Sequence, residues 1–214
     1  MKNHPENEKR AKKLCVLALF TFILSPIFAW GSVALSKETA VYASLSRMIW
    51  YSGSAVGIFL AMLVLFIPML IAFYSAVKMS DLTVLQKRIC QIFMILSCAT
   101  LYVGALKLAP SNGETMTIEN VWHGILSFSG IFMIFITYCL YAVFLHRHDR
   151  DGSGLISVFL WFTLISGAFS VVNIYDKSSY VTASAVSELY ILSMLSIVGF
   201  LTYYLAYRRE KAVK

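Results

Sequence analysis

Uncharged, strongly apolar stretches alternate with short polar ones along the whole 214-residue chain. Six of the apolar stretches approach or exceed the roughly 20 residues that an α-helix needs to cross a hydrocarbon core about 30 Å thick. They run over residues 14–35, 51–77, 89–106, 121–145, 155–172 and 189–207. Every Lys, Arg, Asp and Glu lies outside these windows. Each window can therefore satisfy its backbone as a helix without taking a formal charge into lipid. The alternating pattern of barrel strands is absent. The pattern predicts an all-α membrane protein: a single domain over 1–214 with six transmembrane helices arranged as three hairpins, whose connections are too short to hold a soluble domain.

The charges orient this arrangement. Fourteen of the 18 Lys and Arg fall in the N-terminal segment, Lys78 to Arg88, His146 to Gly154 and the C-terminal tail. Basic residues in short loops mark the cytoplasmic side. Both termini and the serines at 80 and 153 are thus expected to face the cytoplasm, with loops 36–50, 107–120 and 173–188 outside. Trp30, Trp50, Tyr51 and Trp122 sit where an external interface would fall, and Tyr203, Tyr204 and Tyr207 precede the cytoplasmic tail, while Trp161 alone is mid-span. The first apolar run is longer than the 7–15-residue core of a secretory signal and reads as a permanent helix.

Composition agrees: 59% of residues are hydrophobic and 14% charged, with a mean hydropathy of +0.73, against about 45–50% and 25% for a soluble domain. The net charge of +7 is split among short membrane-flanking segments. It points to anionic headgroups rather than to nucleic acid.

A weak internal repeat pairs Trp50 and Gly57-Ile58-Phe59 with Trp122 and Gly130-Ile131-Phe132, and Gly31 with Gly104. Gly53 and Gly57, extended by Ala61, form a GxxxG face that admits a close helix neighbour, within the chain or in a homodimer. Pro26 and Pro68 should kink the first two spans.

Chemistry-bearing residues are few. Cys15, Cys90, Cys98 and Cys139 form no CxxC motif and lie outside the expected external loops, which argues against redox chemistry. Asp149-Arg150-Asp151-Gly152-Ser153-Gly154 matches the first half of a calcium loop, but its twelfth position is Leu160, so the segment reads as a solvated turn. Histidines on one helix alone cannot sandwich a haem, and no cofactor is implied. The remaining cluster is external. Glu119 and His123 are four residues apart and share a helix face, with Thr117 as the expected N-cap. An imidazole entering a membrane calls for a partner, which Glu119, Asp176 or Glu188 can supply. His123 and Glu119 are the metal-ligand candidates, and the four residues together are the candidates for acid/base catalysis.

The stretch from Gly104-Ala105-Leu106 to Pro110, followed by Glu119-Asn120-Val121-Trp122-His123-Gly124-Ile125-Leu126-Ser127-Phe128, resembles the third-loop signature of a bacterial six-helix membrane family, domain of unknown function 998. More distantly, the chain is similar to the Frag1/DRAM/Sfk1 group. The resemblance implies a multi-pass protein of the bacterial cytoplasmic membrane with an external polar mouth, no established catalytic residues, and a histidine at position 123 opening helix four. Three functions are consistent with these readings. The first is noncatalytic binding of membrane lipid or a hydrophobic membrane-protein partner. The second is a lipid-modifying enzyme with an external His/carboxylate site. The third is a small-solute transporter, disfavoured by spans without charge.

Overall fold

The computed structural model describes Val16, Ile67, residues 69–106 and 118–175, Leu195 and residues 197–209, with the backbone alone given for 166–175 and for Ala105, Glu119 and Asn120. Regular structure among the described residues is α-helical throughout. The helices are α1 (Met69–Met79), α2 (Val84–Leu106), α3 (Ile118–Leu145), α4 (Arg150–Tyr175) and α5 (197–209). Within α2 and α3, Val84–Gly104 and Val121–Leu145 are long and apolar enough to cross a membrane. The expected spans 89–106, 121–145 and 155–172 fall inside α2, α3 and α4. The spans 51–77 and 189–207 meet the described structure at their C-terminal parts, and 14–35 only at Val16. Gly53, Gly57 and Ala61, Pro26 and Pro68, and Asp176 and Glu188 lie outside the described residues.

Three helices begin earlier than their uncharged windows, at Val84, Ile118 and Arg150, and two of them are started by a cap rather than by the first apolar residue. Thr83 accepts a hydrogen bond from the Gln86 amide at 3.3 Å, and Gln86 Oε1 accepts one from the Thr83 amide at 3.0 Å. This reciprocal pair satisfies two backbone donors at the start of α2. The first turn thereby includes Lys87 and Arg88. Asp149 does the same for α4, its carboxylate accepting the Gly152 amide at 2.8 Å. The segment 150–154 is consequently the first turn of α4 and not a solvated turn: Gly152 and Ser153 are buried.

α2 and α3 run antiparallel and approach closely through two glycines. A β-carbon on Gly104 would lie 2.8 Å from the Ser127 amide nitrogen, and one on Gly130 would lie 2.6 Å from Leu101 Cβ and 2.8 Å from its Cα. Three residues back along α2 thus correspond to three residues forward along α3. Buried Cys90, Met94, Ser97, Leu101 and Gly104 on α2, and Gly130, Ile134, Thr137 and Tyr141 on α3, recur at alternating intervals of three and four. That spacing keeps one narrow stripe of each helix facing its neighbour.

Larger side chains join α3 to α1 and α5. The Phe73 ring meets Tyr138 edge-on at 5.3 Å between centroids and Tyr141 at 5.5 Å, a favoured arrangement of ring quadrupoles. Val77, Ile134, Ile156 and Val198 complete the same buried cluster. Outward, the helices remain apolar: Phe93 and Ile95 on α2, Phe128 and Phe132 on α3, and Val158, Trp161 and Phe162 on α4 are all exposed. Four buried hydroxyls are absorbed locally: those of Ser97, Thr137, Thr163 and Thr202 each donate to the carbonyl four residues earlier on their own helix.

Candidate functional site

The last four carbonyls of an α-helix have no partner within it. In α1 and α2 one such carbonyl is taken by a side chain from the next helix along the chain. Lys87 Nζ of α2 donates to the Lys78 carbonyl of α1 at 3.1 Å. Near the end of α3, Ser153 Oγ of α4 donates at 2.9 Å to the Ala142 carbonyl, which also accepts the His146 amide at 3.0 Å. The carbonyl at the end of α2 is met by His123 of α3, whose Nδ1 lies 2.7 Å from the Gly104 carbonyl oxygen. A carbonyl can only accept, so Nδ1 carries the proton and donates. Nε2 is left outside this bond.

This bond depends on the glycine seam. Gly104 brings the α2 backbone against Leu126 and Ser127, and the half-buried His123 sits one turn earlier on α3. The expected partner Glu119 has its backbone in the first turn of α3, one helical turn from His123. Its side chain, with Asp176 and Glu188, lies outside the described residues. Among the described residues no group of three or more His, Cys, Asp and Glu stands close enough to hold a metal ion.

The opposite end of the helices carries a polar cluster that the pattern of residues did not single out. Arg209, at the end of α5, donates from Nη2 to the His148 carbonyl at 2.7 Å and forms an ion pair with Asp81 at 3.1 Å. One guanidinium thus clasps the α1–α2 connection, the α3–α4 turn and α5. Ser80, beside Asp81, is buried and donates to the Val77 carbonyl at 2.6 Å. Ser80 and Ser153, both expected on the cytoplasmic side, are enclosed and hydrogen-bonded. The sequence Thr83-Val84-Leu85-Gln86 carries the signal of a reciprocal cap, which a search for uncharged windows passes over. The Arg209–His148 contact joins residues 61 apart, and no local motif announces it.

Among the described residues, two buried side-chain polar atoms lack a hydrogen-bond partner: the Tyr138 hydroxyl and Arg209 Nη1. The Tyr138 oxygen lies 2.8 Å from where a β-carbon on Gly199 would stand, so the phenol tip rests against the α5 backbone. Such groups carry a desolvation cost.

No family profile, curated protein or solved structure matches the chain.

Proposed function

We propose that the chain is a multi-pass integral membrane protein that binds lipid or a hydrophobic membrane partner without catalysis, in a six-helix arrangement with both termini cytoplasmic. The observation that carries this reading is the contrast between surfaces. The flanks of α2, α3 and α4 expose large apolar side chains, Trp161 at 64% and Phe132 at 60% among them, while Lys78, Arg88, Arg147 and Arg150 are exposed where these helices connect at one end. In water such flanks would drive association, whereas in lipid they are solvated. His123 supports the noncatalytic side of the reading, because its Nδ1 meets a carbonyl at the end of a neighbouring helix, as the Lys87 ammonium does. The likeness to domain of unknown function 998 and, more distantly, to the Frag1/DRAM/Sfk1 group fits a bacterial cytoplasmic-membrane location.

Flotation and alkaline extraction test the location: the chain should float with membranes and stay in the pellet, and release by alkali would refute the reading. Orientation is tested with single cysteines in a cysteine-free background. Arg88→Cys and Arg147→Cys, at exposed positions, should resist an impermeant reagent in intact cells, whereas Ser111→Cys and Ser178→Cys, outside the described residues, should react. The reverse pattern would invert the topology.

A lipid-modifying enzyme is a second reading, favoured by one detail. With Nδ1 held by a backbone carbonyl, the His123 ring is oriented and its Nε2 directed elsewhere, an arrangement that ligand and base histidines share. On this reading Glu119, Asp176 or Glu188 supplies the companion carboxylate, and His123→Gln abolishes turnover of lipid without unfolding the protein.

A further inference from the structure

The outward face of α4 combines a charged end with an apolar flank in one line. Arg150, Gly154, Val158, Trp161 and Ile165 follow at intervals of four, four, three and four, which places them on one side of a helix. All five are exposed, and no heavy atom lies within 4 Å of where a β-carbon on Gly154 would stand. Arg147, in the turn before α4, is exposed as well. The neighbouring acids differ in availability. Asp81 is paired with Arg209, the Asp149 carboxylate caps α4, and Asp151 is the exposed acid beside Arg150. Among the described residues neither Arg147 nor Arg150 forms an ion pair, and with Lys78, Lys87, Arg88 and Arg208 at the same end of the helices the basic residues outnumber Asp81, Asp149 and Asp151.

We infer that this face holds an anionic phospholipid, its phosphate against Arg147 and Arg150 and an acyl chain lying along Gly154, Val158, Trp161 and Ile165. The inference rests on the membrane-spanning reading above. Charge complementarity selects the headgroup, and the spacing of the line fits the chain. Eleven residues of helix separate Arg150 from Trp161, about 16 Å of rise, close to half of a hydrocarbon core about 30 Å thick. A phosphate at Arg150 therefore puts the lower half of its acyl chain, toward the terminal methyl, beside the indole. Gly154 leaves room near the helix axis where the glycerol and first methylenes would pass. A tryptophan at mid-depth, away from the interfaces that indoles favour, has in this arrangement a defined apolar neighbour.

Fluorescence quenching tests this directly. The full chain with Trp30, Trp50 and Trp122 replaced by Phe keeps Trp161 as its sole indole. It is reconstituted into phosphatidylcholine vesicles in which a fixed fraction of either phosphatidylcholine or phosphatidylglycerol is brominated toward the methyl end of its acyl chains. Brominated phosphatidylglycerol should show the higher apparent affinity at Trp161, by roughly fivefold for each basic residue engaged. Arg147→Gln with Arg150→Gln should bring the ratio close to one, while Arg88→Gln, exposed on α2 at the same end, should leave it unchanged. Matching thermal midpoints of these surface variants establish that all are folded. Equal quenching by the two lipids, or an equal loss in Arg88→Gln, overturns the inference and leaves the membrane reading standing. Protection of Trp161 from both lipids in chain that floats with the vesicles also overturns it, and assigns the face to a protein neighbour. Chain that does not float, with Trp161 quenched by aqueous iodide, defeats the membrane reading itself.

Discussion

Gly130 and Gly199 both stand where a β-carbon would collide, and they meet very different obstacles. At Gly130 the obstacle is the Cα, Cβ and amide nitrogen of Leu101, parts of a neighbouring helix that move only if the helix moves. At Gly199 the nearest atom is the tip of one side chain, the Tyr138 hydroxyl, with the next contact, Met69 Cγ, at 3.7 Å. α3 is thus joined to α2 by backbone proximity and to α1 and α5 by side-chain fit. The first junction is sensitive to any added volume. The second can be retuned by changing its partner.

The largest effect should come from Gly130→Val. Three added carbons cannot be housed without separating α2 from α3, and overpacking of this kind costs about 3 kcal/mol or more when backbone must shift. Thermal unfolding in detergent should show a severe loss. Gly124→Ala, on the same helix but with nothing within 4 Å of the new methyl, should be neutral or stabilising by up to about 1 kcal/mol through helix propensity. Equal tolerance of the two substitutions would dissolve the claim that the α2–α3 junction is set by backbone contact.

Gly199→Ala and Tyr138→Phe sharpen the other half of the comparison. Alone, Gly199→Ala sets helix propensity against collision with the phenol tip and should lower stability by about 1 kcal/mol. Tyr138→Phe removes a buried hydroxyl that has no partner and should be neutral or stabilising by up to about 1 kcal/mol. Together they should be more stable than either single variant, a coupling that a double-mutant cycle measures. Simple additivity would mean that the hydroxyl is not the obstacle.

The smallest effect is expected at His123. His123→Leu leaves the Gly104 carbonyl without its donor, for a loss on the order of 1 kcal/mol, and His123→Gln, which can still donate, should recover part of it. A greater loss in Gln than in Leu would rule out the end-closing role.

How much of this was legible depended on whether the signal was local. The uncharged windows at 89–106, 121–145 and 155–172 located three helices, because exclusion of charge from a long run is visible residue by residue. Their beginnings were missed by up to five residues, since a cap such as Thr83 or Asp149 recruits charged residues into the first turn. The candidate packing motif was sought as GxxxG at Gly53, Gly57 and Ala61, outside the described residues. The described close approach uses single glycines on two antiparallel helices, Gly104 and Gly130, which no one-helix motif encodes. His123 was singled out for its side chain, yet its partner is a backbone carbonyl, a group that every residue carries and that sequence therefore cannot distinguish. The Arg209 clasp escaped for the related reason that its three members are distant in the chain.

The hydroxyls that bond back to their own helices have a consequence for protons. Transfer through a helix bundle requires groups that accept from one neighbour while donating to the next, so that a charge can hop across the gaps between helices. Ser97, Thr137, Thr163 and Thr202 direct their O–H groups along the helix, to Phe93, Met133, Phe159 and Val198. These four hydroxyls serve as insulation around their own backbones rather than as stepping stones between helices, so conduction through them would first require each to turn away from the carbonyl it now holds.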